Sequence, residues 1–302
     1  MIVEPHNPKP TTALWLAAAA CLACSLGCNA FRQRMPIDAA VSRCRQYSCE
    51  GVTALEQGDC QQAETLLRRA VEAAPQDADA RRHLAETLWA RGEQKEAIRH
   101  MRVAVTEEPR HASAVCRLGQ MEAATGEWKL ALSRAQQALH DDPKLSDAWA
   151  LRGRSHLETG ETELAMADLF RALEYAPNDR AVLADLARLY GQQRRPHKRL
   201  ATVHRLIETF PHGETPVDPL IMEADAYAAL GRNDDAAEGL RAAAQRWPQD
   251  PVLLCRLAEA EAAAGQQHAA VAAVRQALAV DQNHLPSQHL LARLSADPSQ
   301  LR

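Results

Sequence analysis

The sequence predicts an all-α array of stacked helical pairs. Three observations carry that prediction. Pro75, Pro109, Pro143, Pro177 and Pro211 follow one another at 34-residue steps. Gly58, Gly92, Gly126 and Gly160 keep the same step, and so do the alanine rows Ala63, Ala97, Ala131, Ala165 and Ala70, Ala104, Ala138, Ala172. Lastly, the residues after each glycine place apolar side chains at i, i+1, i+4, i+7 and i+8, as in Ala131, Leu132, Ala135, Ala138 and Leu139, which is one face of an α-helix. A fixed period of this length means repeated supersecondary units, each burying its apolar face against its neighbours.

Within a unit, proline closes a short polar turn, because it cannot continue a helix and pushes its predecessor out of the α region. The glycine row is expected at the tight turn between helix A and helix B, where a side chain or a negative φ would obstruct. The alanine rows are expected where helices approach most closely, and a larger residue there should cost roughly 1–3 kcal/mol.

These rows resemble the tetratricopeptide repeat (TPR) family, whose pattern runs Trp, Leu, Gly, Tyr along helix A and Ala, aromatic or Leu, Ala, Pro along helix B. Residues 146–179 carry Trp149, Gly153, Ala165, Leu169, Ala172 and Pro177. Residues 112–145 carry Leu118, Gly119, Ala131, Ala138 and Pro143. The resemblance implies a right-handed α-solenoid of about seven units, at 44–77, 78–111, 112–145, 146–179, 180–213, 217–250 and 251–284. Residues 214–216 form an insertion, and 285–302 hold a capping helix, about 286–295, and a tail. Unit one is recognisable from Gly51, Gly58, Ala63, Leu67, Ala70 and Pro75. Unit five departs: Arg194 stands at the turn glycine, and Arg199 and Leu206 replace both alanines. Those larger residues are expected to widen the packing and make a weak joint.

The N-terminus lies outside the repeats. Ala13–Gly27 is a run of about 15 apolar or small residues, short of the roughly 20 that a membrane span needs. It fits a secretory leader, 1–27. Ser25-Leu26-Gly27-Cys28 resembles a bacterial lipobox, with Cys24 as a competing site, so Cys28 is the expected lipidation residue and 28–43 a tether reaching at most about 45–50 Å. The resemblance implies a protein lipid-anchored in the cell envelope and facing the periplasm; export without lipid, or an uncleaved anchor, is the alternative.

Composition narrows the function. Aromatic residues are 4% and the net charge is −4, so there is no global basic field and nucleic acid is not an expected partner. Of eight cysteines, Cys44, Cys49, Cys60, Cys116 and Cys255 lie beyond the leader, an odd and scattered set that reads as small buried hydrophobes rather than a disulfide framework. Cys44 and Cys49, at i and i+5, point apart. No HExxH, GxSxG, P-loop or dinucleotide fingerprint occurs, so no catalytic residue, cofactor, metal or small-molecule substrate is assigned. His284 and His289 are a remote metal pair only if the cap folds them together.

In the TPR family, helix A lines a concave groove. Carried onto this chain, the groove positions are Arg82, Glu86 and Trp89; Cys116 and Gln120; Asp147, Arg154 and Leu157; and Arg188. Arg82, Gln120, Arg154 and Arg188 then make a donor ladder suited to an extended peptide, acidic or C-terminal, since the arginine fork grips carboxylates. Pairing of these arginines with neighbouring Asp or Glu is the competing reading. Arg194, Arg195, His197, Lys198 and Arg199 are one local basic run, read as a solvated turn or an anionic contact. The expected function is a non-enzymatic, membrane-tethered scaffold that binds a protein or peptide, similar to lipid-anchored TPR factors that help assemble pili, secretins or outer-membrane machinery. The alternatives are an accessory subunit of an envelope polysaccharide- or peptidoglycan-modifying enzyme, and a soluble intracellular peptide sensor.

Overall fold

Aspartate starts many of the helices and glycine stops many of them. In the computed structural model of the chain, which describes residues 39–295, the side chains of Asp59, Asp77, Asp179 and Asp250 accept from the backbone N–H of Gln62, Ala80, Val182 and Leu253 at 2.8–3.0 Å. Each thereby satisfies a donor that has no partner within its helix. At the A–B turns, Gly58, Gly92, Gly126, Gly160, Gly231 and Gly265 have φ between 73° and 86°. Each turn closes with two bonds: Gly160 N–H to Leu157 O at 3.0 Å and Glu161 N–H to His156 O at 2.8 Å, for example. A Cβ at Gly160 would meet nothing within 4 Å. The glycine row is therefore a requirement for left-handed backbone, not for space, which corrects half of the sequence expectation.

Two compact units divide the chain, one ending at Pro143 and the other starting at Lys144. The described part of the first holds α1 (39–56), α2 (Cys60–Ala73), α3 (Ala78–Ala90), α4 (Gln94–Glu107), α5 (Ala112–Ala124) and α6 (Trp128–Asp141). The second holds α7 (Ser146–Glu158), α8 (Thr162–Tyr175), α9 (Arg180–Gln192), α10 (Pro196–Glu208), α11 (Val217–Ala229), α12 (Asn233–Arg246), α13 (Pro251–Ala263), α14 (Gln267–Val280) and α15 (Leu285–Ser295). Odd-numbered helices up to α13 are the A helices and even-numbered ones the B helices. Each A helix packs on the B helix that follows it. No strand occurs among the described residues. The leader, Cys24, Cys28 and most of the tether lie outside the described residues. Residues 39–43, expected as the end of the tether, are already helical in α1.

The alanine rows lie inside. Ala63, Ala97, Ala131 and Ala165 are fully buried, as are Ala70, Ala138 and Ala172. Helices approach closely where the residue is smallest: a Cβ at Gly153 would stand 3.0 Å from Leu169 Cγ and 3.2 Å from Ala165 O. Leu67, Leu84 and Leu88 in the first unit, and Leu169, Leu183 and Leu186 in the second, are fully buried around these contacts. At about 1.5–3 kcal/mol for each large apolar side chain, they and not the alanines supply most of the hydrophobic stabilisation.

In unit five the large Arg199 has a counterpart on the facing helix. Arg199, in the place of an alanine, lies over Gly191, with guanidinium atoms 3.3–3.4 Å from where a Cβ would stand. The equivalent positions of earlier repeats are Trp89, Ala123 and Leu157. A large residue on α10 is thus matched by a missing side chain on α9. Leu206 is buried in the same core as Leu183, Leu186 and Tyr190. The insertion is tied down: Thr215 is buried, and Arg246 of α12 donates to Gly213 O. The cap α15 buries Leu290 and Leu294 against the core of the last two repeats.

Candidate protein-interaction surface

In the first unit the A helices α3 and α5 are joined side to side by charge. Arg117 donates from Nε and Nη2 to the two carboxylate oxygens of Glu86 at 2.8 and 2.7 Å. This fork-on-fork pair is partly exposed on both sides, and the Glu86 carboxylate raises the Arg117 pKa further. The Arg117 guanidinium also lies 5.9 Å from the Trp89 ring centre and 3.4 Å from Gln120 Oε1. Glu86, Trp89 and Gln120 are therefore brought together, by an arginine that the family positions did not include. Arg82 points elsewhere, to Asp79 and to Nε2 of His111 at 2.9 Å. Cys116 is buried at 2% exposure, so it does not line a surface.

A cleft of about 570 Å³ opens between α1 and α3. Arg45, Ser48 and Val52 line it from α1, and Asp79 and His83 from α3, with Cys44 and Asp77 behind. Burial pushes the Cys44 thiol up and the His83 imidazole down from their ordinary values. Cys44 is buried and Cys49 exposed, as their spacing on one helix requires.

In the second unit, Arg154 and Arg188 share one carboxylate. Arg154 Nε donates to Asp185 Oδ2 at 2.6 Å, and Arg188 Nη1 donates to Asp185 Oδ1 at 2.7 Å. The Asp185 side chain is only 12% exposed, whereas Arg188 is 59% exposed. The arginines are thus paired internally through Asp185. Arg188 uses one of its five donors there and keeps the rest for solvent or a ligand. Asp147 is exposed in the first turn of α7, and Leu157 is half-buried against the core. Farther along, Arg199 donates to Asp225 at 3.1 Å, and the Asp225 charge also acts on Arg256.

The geometry has a register that the sequence reading did not contain. Glu86 with Arg117, and Arg154 with Asp185, are both 31 residues apart and join neighbouring A helices. Asp225 and Arg256 keep the same separation. A second register joins B helices to the next A helix at 20 residues: Arg102 with Glu122, and Arg241 with Glu261, each at 2.8–2.9 Å. Glu122 is fully buried and has Arg134 Nε at 3.5 Å on its other oxygen.

Among the described residues, no three His, Cys, Asp or Glu side chains gather as they would around a metal ion. His284 Nδ1 instead lies 2.7 Å from Ser287 Oγ. No described helix is long and apolar enough to cross a membrane.

The chain belongs to the tetratricopeptide repeat family: two tetratricopeptide family models match it, over residues 50–114 and 130–283. Among solved structures it is similar to Pseudomonas aeruginosa pilF, with 21% identity and a TM-score of 0.62 over 75% of this chain and 98% of that one. It is similar to PilW, described as a widely conserved type IV pilus biogenesis factor, at 19% identity and a TM-score of 0.63 over 68% of this chain and 94% of PilW. It is also similar to YrrB, described as a TPR protein with an unusual peptide-binding site, at 16% identity and a TM-score of 0.54 over 63% of this chain and 96% of YrrB. At these identities the likeness is one of fold. No curated protein matches the chain in sequence.

Proposed function

We propose that the chain is a non-enzymatic scaffold that binds a protein or extended peptide on the exposed surfaces of its A helices. It is tethered to a bacterial membrane by lipid on Cys28 and organises a cell-envelope assembly. The observation that carries the binding reading is the Asp185 centre, where two arginines converge on one partly buried carboxylate and Arg188 keeps most of its guanidinium in solvent. Glu86, Arg117, Trp89 and Gln120 form the equivalent mixed surface of the first unit. A partner segment with a carboxylate reaches Arg188 without breaking its bond to Asp185, and an apolar or aromatic neighbour packs on Trp89. The likeness to pilF and PilW supports an envelope assembly as the setting, and YrrB supports a peptide as the ligand class. The apolar run before Cys28 supports the tether.

Two experiments test this. Proximity labelling in the native host identifies the partner, and its capture is then repeated with Arg154→Glu and Arg188→Glu. Retention of every partner by both variants overturns the assignment of this surface. Radiolabelled palmitate is expected to enter the wild-type chain and not Cys28→Ala; equal labelling, or none in either, removes the tether.

A further inference from the structure

The turn between α9 and α10 breaks the rule that the other A–B turns keep. Six repeats place glycine in left-handed backbone there; repeat five places Arg194, at φ 54°. Among the described residues it is the one non-glycine residue with positive φ. The turn is otherwise made in the same way, with Arg194 N–H bonded to Gly191 O at 3.0 Å and Arg195 N–H to Tyr190 O at 2.9 Å. Glycine would serve this backbone without strain, so the chain retains a cation against a conformational penalty. Strain held at one site is the kind of outlier from which a functional role is inferred.

The surroundings concentrate positive charge. Arg194, Arg195, His197 and Lys198 are exposed, and among the described residues none of them forms an ion pair. Like α2, α6 and α14, α10 carries no acidic residue in its first turn to offset these cations. Its N-cap, Arg195, makes no side-chain cap bond. The positive end of the helix dipole adds to the same field. Asp225 of α11 is held by Arg199.

We propose that this turn is a docking point for an acidic segment of a protein, a short run of Asp and Glu. The inference rests on reading the chain as a protein-interaction scaffold, but names a second surface, at the helix turns rather than on the A-helix faces. Two features choose a protein over other polyanions. The chain as a whole carries −4, against a nucleic-acid ligand. None of the large exposed apolar side chains lies in the turn to enter a bilayer.

The test uses the full chain and a fluorescent octapeptide of alternating Glu and Gly, with a Gln and Gly peptide and phosphatidylglycerol vesicles as comparisons. The wild type is expected to bind the Glu peptide, less tightly as salt rises from about 0.05 M to about 0.3 M, and not the Gln peptide. Arg195→Glu with Lys198→Glu should weaken binding roughly tenfold or more. Arg194→Gly should weaken binding while raising the melting temperature, a pairing of opposite effects that a purely structural arginine does not give. Absence of Glu-peptide binding, or equal binding by the double variant, overturns the proposal. So does vesicle binding that the double variant loses while the peptide stays unbound, which makes the turn a lipid contact. A natural partner retained by the double variant but lost by Arg188→Glu removes this docking point and leaves the A-helix reading intact.

Discussion

Replacing Arg194 with glycine is expected to stabilise repeat five. The left-handed backbone costs a residue with a Cβ about 1–2 kcal/mol. Glycine removes that penalty but gives the unfolded chain more freedom, about 0.5–1 kcal/mol in the other direction. Arg194 makes no side-chain bond among the described residues, so nothing else is lost. The balance is a gain of about 0.5–1 kcal/mol. Repeat arrays open locally, so amide hydrogen exchange in α9 and α10 reads this better than a global melt. Protection there should rise by roughly two- to fivefold, with the amides of α13 and α14 unchanged. The reciprocal change, Gly160→Arg in repeat four, should lower protection in α7 and α8 by at least as much. The room at Gly160 is ample, so φ alone carries that loss. Lower protection in Arg194→Gly, or none lost in Gly160→Arg, refutes the assignment of strain.

Other perturbations test packing and charge. Gly153→Ala places a methyl 3.0 Å from Leu169 Cγ and should cost about 1–3 kcal/mol in a urea titration; a neutral result means that α7 and α8 do not meet as closely as described. Arg102→Ala leaves the buried Glu122 carboxylate with only Arg134 at 3.5 Å, and should cost about 2–3 kcal/mol, with part of the loss recovered by adding Glu122→Gln; no recovery means that charge is not the cause. Burial holds His83 and His100 below their ordinary value of 6.5, so the unfolded chain takes up protons first. Their contribution is present above 6.5 and declines as pH falls through and below it, so the urea midpoint should be lower at about pH 5.5 than at about pH 7.5, and His83→Gln with His100→Gln should flatten that difference. Glu96, held at about 2 by Arg68, contributes stability above its ordinary 4.5 that is lost on acidification toward 2, so Arg68→Ala should lower the urea midpoint at about pH 6 and shrink its fall between about pH 5 and about pH 2.5.

The repeat was legible because packing within it demands the same residue at the same place each time. Ala63, Ala97, Ala131 and Ala165 sit at one contact, and a row results. The charge register between repeats left no row. Glu86 and Arg117 exchange signs with Arg154 and Asp185, and either order satisfies the geometry. Arg117 and Asp185 also occupy the sixth place of their units, away from the family positions carried onto the chain. For this reason the expected donor ladder was found to be paired internally. The contact made by Arg199 in repeat five was hidden for a related reason. The bulk of Arg199 was visible, but its match with Gly191 spans two helices and belongs to no periodic row. The α1–α3 cleft was missed because no groove position was assigned in unit one.

The most direct test of the binding account is the affinity of the identified partner for Arg188→Glu, set against Arg275→Glu, an exposed change on the B helix α14. The account predicts that Arg188→Glu weakens binding by roughly tenfold or more and that Arg275→Glu leaves it unchanged. Equal affinity for both variants contradicts it.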